Sequence, residues 1–76
     1  MHGIGECYSL DSPTLGIVTL EDQHKVPLTI PRDAIVKVIG EINTDGFVDV
    51  LWDGQAVVIF TQDLLARGVR VDANAY

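Results

Sequence analysis

The sequence predicts a small all-β domain, and three observations carry that expectation. Seven glycines and three prolines break the chain into short runs of Val, Ile, Leu and aromatic residues. Short apolar runs at even spacing, separated by turn residues, are the pattern of a sandwich or barrel. One pair of runs is joined by Asp53-Gly54, a dipeptide suited to a two-residue hairpin turn. The length of 76 residues leaves room for one domain, residues 1–76.

Glu6–Leu10 reads as a first short strand, ended by Asp11-Ser12-Pro13. Leu15–Leu20 and Val26–Ile30 form a pair around the polar loop Glu21–Lys25, with Val26, Leu28 and Ile30 inward. Pro27 lacks an amide donor and belongs on an edge. Pro31–Ala34 turns into the run Ala34–Ile42, where Val36, Val38 and Ile42 point inward and Lys37 and Glu41 outward. Gly40 marks a bend or bulge there. Asn43–Gly46 is a turn into Phe47–Trp52. With Asp53-Gly54 at the turn, Trp52 faces Gln55, Leu51 faces Ala56, Val50 faces Val57, Asp49 faces Val58, Val48 faces Ile59 and Phe47 faces Phe60. Thr61–Gly68 reads as a helical turn with an N-cap threonine, a C′ glycine and an Asp63–Arg67 pair four residues apart. Val69–Val71 resumes the strand pattern, and 72–76 reads as a frayed tail.

This order resembles an SH3-like barrel over nearly the whole chain: a first strand, a long two-stranded excursion, a three-stranded meander, a helical turn and a closing strand. The resemblance implies a barrel of five to six short strands. It carries no function by itself. Signalling SH3 domains read proline-rich peptides with an aromatic groove. Here Phe47 stands where their tryptophan opens the strand, and no proline follows Phe60. The stretch Val57–Arg67 also resembles the active strand of type II dihydrofolate reductases, small tetrameric barrels carried on mobile gene cassettes. That family needs glutamine, isoleucine and tyrosine, where this chain has Val58, Ile59 and Phe60. The resemblance therefore implies a shared fold and a bacterial, integron-cassette setting, without reductase activity.

Composition limits the chemistry. Eleven acids against five bases give a net charge of −6, which disfavours nucleic acid and anionic membranes. The single Cys7 excludes an internal disulfide, and Cys7, His2 and His24 fall short of a four-ligand zinc site. No targeting segment is legible, so the cytoplasm is the expected location. No nucleophile–base motif, phosphate loop or basic–aromatic platform stands out, and the expectation is a non-enzyme without cofactor.

The informative feature is the Asp-Gly hairpin, which is apolar on both faces. Val48, Val50, Val57 and Ile59 fill one side. Phe47, Leu51, Val58 and Phe60 fill the other, with only Asp49 to wet it. Strands apolar on both faces are covered on both faces. The cover is either the chain's own excursion or tail, or a subunit interface. The expected function is a self-assembling or protein-interaction module, its interface at Phe47, Leu51, Val58 and Phe60. The alternatives are a small-ligand site or minimal enzyme formed between subunits, and an RNA-binding adaptor.

Overall fold

Type I′ turns require positive φ at both central residues, and Asp53 (φ 52°) and Gly54 (φ 79°) have it. The computed structural model, which describes residues 4–41 and 46–71, therefore holds β5 (Phe47–Trp52) and β6 (Gln55–Phe60) in the register that the turn dictates, from Trp52↔Gln55 to Phe47↔Phe60. A Cβ at Gly54 would meet nothing within 4 Å. Substitution there is strained only through φ, so Gly54→Val should cost roughly 1–2 kcal/mol while Gly54→Asn stays mild. Equal melting temperatures for the two variants would contradict this account of the turn.

The other strands are β1 (Cys7–Leu10), β2 (Thr14–Thr19), β3 (Lys25–Ile30), β4 (Ile35–Val38) and β7 (Gly68–Val71). All seven join in one antiparallel sheet of order β3-β2-β6-β5-β4-β1-β7. The described residues are all-β with one short helix, α1 (Thr61–Arg67), and form seven strands rather than five or six. The meander β4-β5-β6 is central. Pro27 lies on β3, an end strand of the sheet, where a missing donor is tolerated. β4 stops at Val38 and the chain bends at Gly40, although the Ile39 amide still donates to the Asp49 carbonyl at 3.0 Å. Ile42, the turn at Asn43–Asp45, His2 and the tail 72–76 lie outside the described residues.

Alternation sends one side chain in two to a common core. Val36, Val38, Val48, Val50, Val57 and Ile59 from the central strands are almost wholly buried. Leu10 and Tyr8 of β1, Ile30 of β3 and Leu64 of α1 close it, with Val18, Leu28, Ala34 and Trp52 packed around them. Gly16 faces this core opposite Ile59, where a Cβ would lie 2.5 Å from Val57 Cγ1. Its place in β2 is thus set by space.

Three expectations are corrected. Val26 is exposed, because β2 pairs with β6 only at Gly16 and Ile17, leaving the distal half of the β2–β3 hairpin without a neighbouring strand there, whereas Leu28 packs inward at the margin of the core as expected. Thr61 is not the N-cap. Phe60 holds that position without a side-chain cap, and Thr61 is buried as the first helical residue. Gly68 is extended (φ −87°) rather than left-handed, and its role is spatial: a Cβ would sit 2.5 Å from the Leu64 carbonyl oxygen and 3.2 Å from Tyr8 Cδ2. Arg67 donates to the Pro13 carbonyl at 2.8 Å. Together with the bond from the Asp11 amide to the Arg67 carbonyl, that ties the helix end to the β1–β2 link.

Candidate functional site: the outer face of the sheet

The side of the sheet away from the core is where the chain departs from ordinary antiparallel chemistry. Such sheets keep one face polar when it meets water. Here β5 presents Phe47, Asp49 and Leu51 outward, and β6 presents Ala56, Val58 and Phe60 opposite them. Phe47, Leu51 and Phe60 are 49%, 39% and 43% exposed. The Phe47 and Phe60 rings stack with centroids 4.7 Å apart at a 32° tilt. Sequence alternation placed these residues with Val58 on one face, and the structure brings all four together there.

Residues not assigned from the sequence enlarge the patch. The Ile17↔Val58 pairing carries the apolar surface onto β2, where Leu15 is also outward and 46% exposed. Across β4, Ile39 continues it beside Asp49. The β2–β3 excursion lies in the same sheet as β6, so it extends this face instead of folding over it. A shallow depression of about 160 Å³ opens on it, lined by Ile17, Thr19, Lys25, Phe47 and Val58. That is below the roughly 300–1,000 Å³ usual for small-molecule sites.

The remaining candidates for chemistry stay apart. Cys7 is buried in β1, and His24 lies beside β3, at the other end of the sheet order. Among the described residues no three His, Cys, Asp or Glu side chains gather closely enough to hold a metal ion. At the exposed β2–β3 tip the His24 ring meets Asp22 at 2.6 Å, and its amide donates to the same carboxylate at 3.1 Å. These bonds lower the Asp22 pKa. Near the β1–β7 edge, Arg70 pairs with Glu6 at 3.1 Å, and the Tyr8 hydroxyl donates weakly to Glu6 at 3.4 Å. Burial first, then the Glu6 charge and hydrogen bond, push the Tyr8 phenol above its ordinary range, against a smaller opposing pull from Arg70. Tyr8 is therefore held neutral, with its ring in the core.

No helix among the described residues is long and apolar enough to cross a membrane. Comparison of the chain with protein-family models, with curated proteins and with solved structures finds no match.

Proposed function

We propose that this protein is a non-enzymatic, self-assembling or protein-docking module of SH3-like build that works through the outer face of its sheet. The observation carrying this reading is the contiguous apolar surface formed by the exposed Phe47, Leu51, Phe60 and Leu15 with the half-buried Val58 and Ile17 between them. The two half-exposed phenylalanines alone offer about 100 Å² each, and contiguous apolar surface of this kind marks interaction sites. Support for the SH3-like build comes from element order. A three-stranded meander is followed by a short helix, and the last strand pairs back on the first. The acidic, single-cysteine composition favours a cytoplasmic setting.

Light scattering on the full chain tests the reading. The mass should exceed that of one chain at tens of micromolar, and chemical labelling of Phe47 and Phe60 should fall as the mass rises. A monomer throughout that range, with both rings equally labelled, would overturn it.

A further inference from the structure

We infer that the occupant of this face is a second copy of the chain, docked about a two-fold axis that sets Asp49 of each copy against Lys37 of the other. The inference rests on the reading of the outer face as a docking surface and names its partner.

Three outward residues, Lys37 of β4 and Asp49 and Leu51 of β5, form the middle of this face. Lys37 pairs with Leu51, and Ile39 is hydrogen-bonded to Asp49. Asp49 and Lys37 thus lie on a diagonal, about 7–8 Å apart, with the Ile39 amide and Gly40 beside Asp49. Among the described residues neither Asp49 nor Lys37 forms an ion pair within its own chain. A carboxylate in the middle of an apolar face loses its water on docking and then needs a cation from the partner. This same face supplies one.

In a face-to-face dimer the two-fold axis lies in the plane of contact and pairs residue i with j and j with i. An axis through Leu51 that crosses the Asp49–Lys37 diagonal near its midpoint places Leu51 on Leu51 and exchanges the ends of that diagonal, so both Asp49–Lys37 contacts form at once. It also exchanges the apolar lobes on either side. The Phe47–Phe60 lobe lies to one side, and to the other lies the lobe of Ile35, Val69 and Val71, reached through the β4–β1–β7 register. Val69 is 56% exposed on that second lobe. The face thereby meets itself with opposite charges at its middle and apolar side chains on either side. A partner without a cation at this place would offer Asp49 no charge across the contact.

The test uses Asp49→Lys and Lys37→Asp in the full chain, with circular dichroism to verify folding. Each variant alone sets like charges together twice and should weaken dimerisation roughly tenfold or more. An equimolar mixture of the two restores both opposite-charge contacts in the mixed dimer. Light scattering should then return the mass of two chains. The inference is overturned if the single variants dimerise like the wild type. It is also overturned if the mixture stays monomeric, or if Asp49→Lys is rescued by Lys25→Asp instead. In these cases a Leu51→Glu variant that still dissociates keeps the docking reading and removes only this dimer. A Leu51→Glu variant that leaves the assembly intact removes the reading itself.

Discussion

Under the proposed docking of the outer face, Leu51→Glu is expected to turn assemblies into monomers while leaving the β-sheet intact. Leu51 is 39% exposed on the outer face, paired with Lys37 on one side and Ala56 on the other, and contributes nothing to the core. The isolated sheet therefore tolerates a carboxylate there. Docked, the same carboxylate sits in a dry contact, where an unpaired charge costs about 3–5 kcal/mol. That corresponds to a loss of affinity of roughly a hundred- to several-thousandfold. Phe60→Glu should act in the same direction and also break the ring stack with Phe47. Light scattering reads the change in mass, and far-ultraviolet circular dichroism reads the retained sheet. A small domain leans on its partner, so the dichroism is best recorded at several temperatures. A wild-type mass in the Leu51→Glu sample would show that this face makes no contact.

How far the sequence foretold this arrangement depends on whether the deciding interaction was local. The β5–β6 register is set by two residues, Asp53 and Gly54, and once their φ values are positive every cross-strand pair follows. The outward grouping of Phe47, Leu51, Val58 and Phe60 was legible for the same reason. Leu15 and Ile17 were not, because their membership of the face depends on β2 pairing with β6, some forty residues away in sequence. The exposure of Val26 has the same origin: alternation marks it as inward, but no strand lies beside that end of the hairpin. Thr61 shows a different limit. Threonine before an acidic first turn is an N-cap pattern, yet the helix follows β6 without a linker. The Thr61 amide donates to the Gly46 carbonyl at 2.9 Å, and the residue is fully buried. Gly68 misled for a related reason. Glycine after a helix suggests a left-handed cap, whereas here the strand begins at once and the glycine avoids the Leu64 carbonyl. In each case a tertiary contact overrode a local signal.

Leu64→Ala should produce the largest loss of stability among simple truncations of the helix. α1 has only seven residues, too few for a helix to persist on its own propensity, so packing must hold it. Its two central leucines divide the work. Leu64 is fully buried in the cluster with Leu10, Ile30, Val36 and Ile59, while Leu65 is 54% exposed. Removing the Leu64 side chain leaves a cavity at the point where the helix closes the core, at a cost of about 2–5 kcal/mol. A domain this short has a total stability near the low end of about 5–15 kcal/mol, so the variant should be close to unfolding at 37 °C. Leu65→Ala is the matched control and should change stability by less than about 0.5 kcal/mol. Denaturant midpoints for the two variants decide the matter, and the same experiment on the Leu51→Glu monomer separates the helix contribution from that of assembly. If Leu64→Ala and Leu65→Ala shift the midpoint equally, the helix does not close the core through Leu64, and the sheet alone must account for the fold.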